Sequence, residues 1–299
     1  MGISKEEGFI LSRGHKVWYR IVANNDRYSE KIPLLILHGG PGFPHDYLDP
    51  LEIIAESGRS IIFYDQLGCG NSDKPNTPSL WTIEYFIEEI NTIRKALNLN
   101  NIHLFGQSWG GMLGMEYALT TPNGLVSLII SNSPASASQW IKEANRLRQE
   151  LPSNIRKALI KNKKNTNAPE YKQAMDVFYQ KHICRIHPWP QCLNLASTKL
   201  EKNPEVYNTM WGSSEFGVTG TLKNWDVTER LHNIHKPTLV LGGRYDEATP
   251  NITKTVQNHI PDAKRIVFEK SSHLPHLEEP EKYIQVVNEF LTQVEVNNT

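Results

Sequence analysis

The chain has no surplus of charge of either sign: over 299 residues, 32 lysines and arginines stand against 32 aspartates and glutamates. A balanced surface creates no long-range field that would draw the protein to nucleic acid or to an anionic membrane. Cysteine is scarce. Cys69, Cys184 and Cys192 are odd in number and stand at no metal-ligand spacing, which argues against a disulfide framework and for reduced thiols. Cys184 and Cys192 would pair only in an oxidising compartment. No apolar run approaches the ~20 residues of a membrane span. The first ten residues also lack the basic start and apolar stretch of a secretory signal, so a cytoplasmic protein that engages no membrane is expected. The 11 histidines form no H-E-x-x-H or comparable cluster, and neither a metal nor another cofactor is expected. Internal repeats, low-complexity tracts and the G-x-x-x-x-G-K-[ST] phosphate loop are missing as well, which removes repeat arrays and P-loop nucleotide binding. The length permits one large domain or two modest ones, with a small molecule or a peptide as the expected partner.

What the chain does have is Gly106, Ser108 and Gly110, spelling G-x-S-x-G between a short apolar run, Ile102 to Phe105, and a helical pattern, Met112 to Leu119. A strand that turns directly into a helix leaves little room. Glycines two positions either side of the serine remove the Cβ atoms that would collide there. The serine is then held in a strained conformation with its hydroxyl projecting from the sheet, at a helix N-terminus that favours developing negative charge. Ser108 therefore reads as a nucleophile.

Short apolar runs recur at Leu34 to Leu37, Ser60 to Tyr64, Val126 to Ile130, Thr238 to Leu241 and Arg265 to Phe268, separated by helical or turn-rich stretches. Runs of this kind are strands buried on both faces, and the alternation predicts an α/β fold with a mostly parallel central sheet. An additional hairpin is expected near the N-terminus, over residues 6 to 22. Residues 136 to 230 differ: Gln139 to Leu151, Ser153 to Ile160, Glu170 to Ile183 and Leu193 to Lys202 read as helices, with a polar Lys161 to Asn167 link and no intervening strand. This predicts a core formed by residues 1–135 and 231–299, with residues 136–230 inserted as a helical cap over the carboxyl edge of the sheet. The polar tail after Val296 is expected to fray.

A serine hydroxyl needs a base, and the base needs a carboxylate to orient it. Asp246 follows the strand beginning at Thr238, and His273 follows the strand beginning at Arg265, so both emerge at the same sheet edge as Ser108. His276 is the competing base, and spacing favours His273, which lies nearer the strand end. The oxyanion formed by attack needs preorganised donors. The Trp109 amide, next to the nucleophile, supplies one, and Gly40 in the His38-Gly-Gly-Pro-Gly42 loop supplies the other. His38 and His103 read as structural.

These motifs, together with Tyr64-Asp-Gln-Leu-Gly-Cys-Gly-Asn-Ser72, Gly243-Arg-Tyr-Asp-Glu-Ala-Thr-Pro250 and Ser272-His-Leu-Pro-His-Leu-Glu-Glu-Pro280, resemble the prolyl aminopeptidases of the α/β-hydrolase superfamily. Similarity extends into the insertion at Met210 to Phe216 and Thr219 to Asp226, while Ile155 to Gln191 follows no shared pattern. The resemblance implies an α/β-hydrolase fold and a serine aminopeptidase that releases an N-terminal residue, preferably proline, from short peptides with a free N-terminus. It also implies that Glu215 and Glu247 bind the substrate's α-amino group. On chemistry alone both glutamates read as surface carboxylates. Phe43, Trp109, Trp211, Phe216 and Tyr245 read either as lining for a small apolar pocket or as core. A broader aminopeptidase or amino-acid amidase, an esterase or lactonase on the same three residues, and a non-catalytic binding protein are the alternatives.

Overall fold

The computed structural model describes residues 3–24, 31–161 and 165–298. Strands β1 (Ile3–Ser12) and β2 (His15–Asn24) form a hairpin closed by Arg13 and Gly14 at φ 48° and 85°, the pair of positive angles that a two-residue type I′ turn requires. The chain continues through β3 (Leu34–Leu37), a run of 3-10 turns (His45–Ser57), β4 (Ile61–Tyr64), α1 (Ile83–Ala96), β5 (Ile102–Gln107), α2 (Trp109–Leu119) and β6 (Leu125–Ser131). Five helices follow without a strand between them: α3 (Ala137–Gln149), α4 (Ser153–Lys161), α5 (Pro169–His182), α6 (Gln191–Lys202) and α7 (Glu205–Met210). Then come β7 (Thr238–Gly243), α8 (Pro250–His259), β8 (Lys264–Phe268), α9 (Pro275–Glu278) and α10 (Pro280–Asn298). Of the tail beyond Val296, Asn297 and Asn298 belong to this last helix, and Thr299 lies outside the described residues. Within the expected Lys161 to Asn167 link, residues 162–164 lie outside the described residues.

The eight strands are ordered β1-β2-β4-β3-β5-β6-β7-β8, with β1, β2 and β4 paired antiparallel and every other neighbour parallel. After β3 the chain steps outward to β4, then returns to place β5 on the other side of β3. The strand order therefore reverses between β3 and β5, and the crevice beyond their carboxyl ends is where sheets of this kind bind ligands. Gly40 lies just past β3 and Ser108 just past β5, so both border that crevice.

All residues of β3, β4, β5 and β7 are buried. The pleat sends Leu35 and Leu37 into one apolar cluster with α1 and α2, and Leu34 and Ile36 into another with the 3-10 run and α10. The helices between β6 and β7 join these same clusters. Trp140, Leu147, Tyr171, Phe178 and Met210 belong to the first, Leu193 and Ala196 to the second. Polar ties add to the seam: Lys199 Nζ to Asp46 at 2.7 Å, Asn203 Nδ2 to the Gly68 carbonyl at 2.6 Å, and Trp81 Nε1 to Glu205 at 2.9 Å.

One carboxyl is buried in the core without a cation. Glu89 on α1 is fully enclosed, and among the described residues its oxygens accept only from the Leu67 amide, at 3.1 Å for the nearer one. Burial pushes it from an ordinary 4.5 up to about 8. The folded state thus prefers the protonated acid, so the associated stability is complete below pH 4.5 and is lost as pH rises through 8. Glu89→Gln keeps an acceptor for Leu67 and removes the ionisation. The variant is expected to gain stability over the parent by at least ~1 kcal/mol at pH 8.5, since a tenfold change in proton affinity corresponds to ~1.4 kcal/mol, with almost no gain at pH 4, below the ordinary value of 4.5. Urea unfolding at the two pH values checks this.

Candidate active site

The turn between β5 and α2 is as tight as the glycine spacing demands. A Cβ on Gly106 would stand 2.1 Å from the Gly110 carbonyl oxygen, and one on Gly110 would stand 2.2 Å from that of Leu37. Ser108 sits between them at φ 54°, ψ −120°, a left-handed backbone that costs an L-residue energy and persists only where its surroundings enforce it. They do so here through its amide, which donates to the Ser131 carbonyl at 2.8 Å, and its carbonyl, which accepts from Gly111 at 2.9 Å. The hydroxyl opens onto a cavity of about 370 Å³.

Asp246, in the loop after β7, is buried and accepts three hydrogen bonds. His273 Nδ1 donates to Oδ1 at 2.7 Å, the Ala248 amide donates to the same oxygen at 2.8 Å, and Asn132 Nδ2 donates to Oδ2 at 2.6 Å. The proton on Nδ1 leaves Nε2 of His273 as the basic nitrogen. The His273 loop is itself tied down. The Ser272 amide donates to Glu278 at 2.7 Å, Ser271 Oγ donates to Glu279 at 2.6 Å, and the Ser271 carbonyl accepts from the Tyr245 amide of the Asp246 loop at 3.0 Å. His276 is occupied elsewhere: Nε2 donates to the Tyr47 carbonyl at 3.0 Å, and burial holds its pKa down to about 4.

Gly40, Trp109, Glu215 and Glu247 line the same cavity as Ser108 and His273. Among the described residues neither the Gly40 nor the Trp109 amide donates to a protein acceptor. Of the five aromatic candidates, Phe43, Trp109 and Trp211 line the cavity. Phe216 packs behind it against Phe178 at 4.9 Å between ring centroids, and Tyr245 is exposed beneath the Arg185 guanidinium at 3.9 Å. Trp140 is a further wall residue, edge-on to the His273 ring at 6.1 Å and to Trp211 at 5.3 Å.

Glu215 and Glu247 are not surface carboxylates. Glu247 is 3 % exposed, and its Oε1 lies 4.0 Å from His273 Nε2. Its Oε2 is buried with no partner among the described residues. Glu215 is half-buried, opens onto the cavity, and accepts from the Tyr207 hydroxyl. The Trp211 indole N–H lies toward Glu215 without reaching hydrogen-bond geometry. Burial raises the pKa of both carboxyls, and the charges of Glu215 and Asp246 raise Glu247 further. Two carboxyls on one cavity, Glu247 buried with an orphaned oxygen and Glu215 half-buried, neither paired with a lysine or arginine among the described residues, offer a site that a cation would complete.

Among the described residues one group of side chains has metal-ligand proximity, namely His38, Asp65 and Cys69 beneath the β3 loop. Its donor atoms are already used. His38 Nε2 accepts from the Gln66 amide at 2.9 Å, and Asp65 accepts from the His45 amide and Nδ1 at 3.0 and 2.7 Å and from the Asn71 amide at 2.7 Å. Burial pushes the Cys69 thiol far up, away from the thiolate that binds metal. His103 likewise bonds Ser127 at 2.7 Å and Glu295 at 3.4 Å inside the fold.

Sequence reasoning passes over Asn132, Tyr207 and Trp140. Asn132 ends β6 at φ 55°, accepts from Ser131 Oγ at 2.5 Å, and through it continues to the Tyr283 hydroxyl at 2.9 Å. An asparagine in left-handed backbone is the residue that commonly tolerates that conformation, and nothing in its neighbours marks the contact to Asp246. Trp140 lies on α3 and Tyr207 on α7, and nothing in their neighbours marks which face of either helix meets the cavity.

The profile of the alpha/beta hydrolase fold family matches residues 32–280. The chain is 39% identical over 290 residues to a proline iminopeptidase of Heyndrickxia coagulans, covering 96% of this chain and 99% of that one. It is 41% identical to that of Clostridioides difficile strain 630, covering 95% and 97%. Among solved structures, a proline iminopeptidase of Mycobacterium smegmatis superposes with a TM-score of 0.93 at 40% identity, covering 98% of this chain and 100% of that one.

Proposed function

The chain belongs to the proline iminopeptidases of the α/β hydrolase fold family, and we propose that it removes an N-terminal proline from peptides through an acyl-enzyme on Ser108. The observation that carries this reading is the pair of carboxyls without a cation, half-buried Glu215 and buried Glu247, in the cavity that also holds Ser108 and His273. They fix the substrate's ammonium group, so the first carbonyl of the peptide comes to lie beside the Ser108 hydroxyl. A blocked N-terminus has no cation to offer and leaves both carboxyls unpaired. Residues 136–230 act as the cap, closing the cavity to long folded chains.

His273 Nε2 takes the proton of Ser108 Oγ as the oxygen attacks the carbonyl carbon. Asp246 keeps the imidazolium in place and stabilises its charge. The carbonyl oxygen, now negative, receives hydrogen bonds from the Gly40 and Trp109 amides, each worth roughly 2.7–4 kcal/mol. His273 then gives its proton to the departing amine, the C–N bond breaks, and the prolyl ester remains on Ser108. Water attacks this ester with His273 again as base, releasing proline and restoring the hydroxyl. The short acceptor contacts of Asp246, with Asn132 on one oxygen and Ala248 and His273 on the other, keep it in the geometry that this exchange requires. The chemistry needs no cofactor, and with no helix among the described residues long and apolar enough to cross a membrane, the cytoplasm is its proposed place of work.

Hydrolysis of proline, alanine and leucine anilides, run beside an N-acetylated proline anilide and a short-chain ester, tests the reading. Proline anilide is expected to be cleaved fastest, and acetylation to abolish cleavage. Ester cleavage without anilide cleavage would instead make the protein an esterase.

A further inference from the structure

Both oxyanion donors are backbone amides, and a backbone amide is aimed by what holds its peptide plane. The Gly40 N–H points opposite to the Gly39 carbonyl, with which it shares a trans peptide. That carbonyl accepts from the Phe43 amide at 3.2 Å and from His38 Nδ1 at 3.0 Å. Because His38 Nε2 accepts from the Gln66 amide, its proton is on Nδ1. On the other side, the Gly39 amide donates to the Tyr47 hydroxyl at 2.9 Å. That hydroxyl donates to Gln107 Oε1 at 2.6 Å, and Gln107 Nε2 donates to the His273 carbonyl at 3.2 Å. The Tyr47 carbonyl is held by His276.

One buried phenol thus joins three loops: the one bearing Gly40, the turn bearing Ser108, and the one bearing His273. The approach is close enough to require glycine at position 39, where a Cβ would stand 2.8 Å from Gln107 Oε1, 2.9 Å from the Tyr47 oxygen and 3.2 Å from Ser108 Cβ. Burial pushes the Tyr47 phenol far above its ordinary pKa, so it remains a donor at any working pH.

We propose that Tyr47 is a positioning residue: through Gln107 it fixes the Gly39 backbone nitrogen, in the peptide just before the Gly39–Gly40 plane, relative to Ser108 and His273, and so sets the place from which the Gly40 amide meets the oxyanion. This rests on the reading of Gly40 as an oxyanion donor. The Tyr47 ring also packs on Phe43 at 4.9 Å and His276 at 5.8 Å, contacts that phenylalanine preserves. Tyr47→Phe therefore removes the hydrogen bonds and little else.

A misaimed donor weakens transition-state binding and leaves the ground state alone. In Tyr47→Phe, kcat on proline anilide is expected to fall roughly tenfold or more, short of the ~10²–10³ of a lost donor, with KM within about twofold. The Ki of pyrrolidine-2-boronic acid, which becomes tetrahedral on Ser108 with an oxygen in the oxyanion position, should rise by the same factor. Pyrrolidine, which offers only the ring and the amine, should bind unchanged. Gln107→Leu cuts the same staple at its other end and should give the same pattern, with the double variant no worse than the more impaired single one. Unchanged kcat and unchanged boronate affinity in Tyr47→Phe overturn the proposal, as does equal weakening of boronate and pyrrolidine. Should Tyr47→Phe not fold, the same readings on Gln107→Leu decide. If the unaltered chain neither cleaves proline anilide nor binds the boronate, the functional reading fails and this proposal with it.

Discussion

Ser108→Ala is expected to leave a folded protein whose kcat on proline anilide is lower by on the order of 10⁶. The elbow survives the change because its supports are backbone groups: the amide of residue 108 still reaches the Ser131 carbonyl at 2.8 Å, and its carbonyl still accepts from Gly111 at 2.9 Å. Alanine bears the left-handed φ of 54° at much the same cost as serine. What disappears is the atom that bonds to the substrate. The residual rate comes from the Gly40 and Trp109 amides, which stabilise attack by water without a covalent intermediate. Steady-state rates together with mass-spectrometric labelling by a fluorophosphonate check this. A variant that keeps more than about 1 % of parental kcat, far above that residue, would remove Ser108 from the mechanism.

Glu215→Gln and Glu247→Gln carry the next largest effect. Each keeps the shape of the side chain and removes its charge, and a charge-assisted hydrogen bond contributes roughly 1.5–3 kcal/mol, or about 10- to 150-fold in kcat/KM. Because the charge of Glu215 bears on Glu247, the two losses are not independent and the double variant is expected to lose less than the product of the single losses. The pH profile follows from the direction of their shifts. Burial raises both, so at low pH both are protonated and cannot hold an ammonium ion. In the parent enzyme kcat/KM should therefore climb with pH through a transition above the ordinary glutamate range. In the double variant the part of that climb due to the glutamates should vanish, and acetylated and free proline anilides should converge toward equally poor rates. Undiminished hydrolysis of the free anilide by either single variant would end that residue's role in amine recognition.

The parts of the site that sequence can reveal are those where backbone geometry leaves no choice of residue. Gly106 and Gly110 flank Ser108 because any Cβ there meets a carbonyl oxygen near 2 Å, and that necessity is visible as a fixed spacing. Asp246 is legible because β7, buried on both faces, is an unbroken apolar run and a polar residue just beyond it stands at the sheet edge; His273 follows the edge strand β8, which is only partly buried, and is legible from the short Ile266–Phe268 run alone. Glu215 is different. Its burial depends on Tyr207 and on helices α3 to α7, where no regular alternation fixes the register, and in isolation it has the pattern of a surface residue. Asn132 and Tyr47 act through single hydrogen bonds across 114 and 60 residues of chain, to Asp246 and Gln107, and contacts of that range leave no local trace. Helix α10 extends to Asn298, past the point where composition turns polar, and its buried face is Tyr283, Val287, Leu291 and Val294.

The helices between β6 and β7 have no apolar centre of their own: Trp140, Phe178 and Met210 share one cluster with Leu37 and Met112, while Leu193 and Ala196 share the other with Leu48 and Tyr283. For anyone recombining relatives, this sets where a cut is tolerable. A chimera that swaps residues 136–230 between two family members must carry over the facing residues of α2 and of the 3-10 run, together with the Asp46 and Glu205 ties, or it will join two half-cores that do not interlock. Substrate range in this lineage is therefore more readily altered one cavity side chain at a time than by transplanting the roof whole.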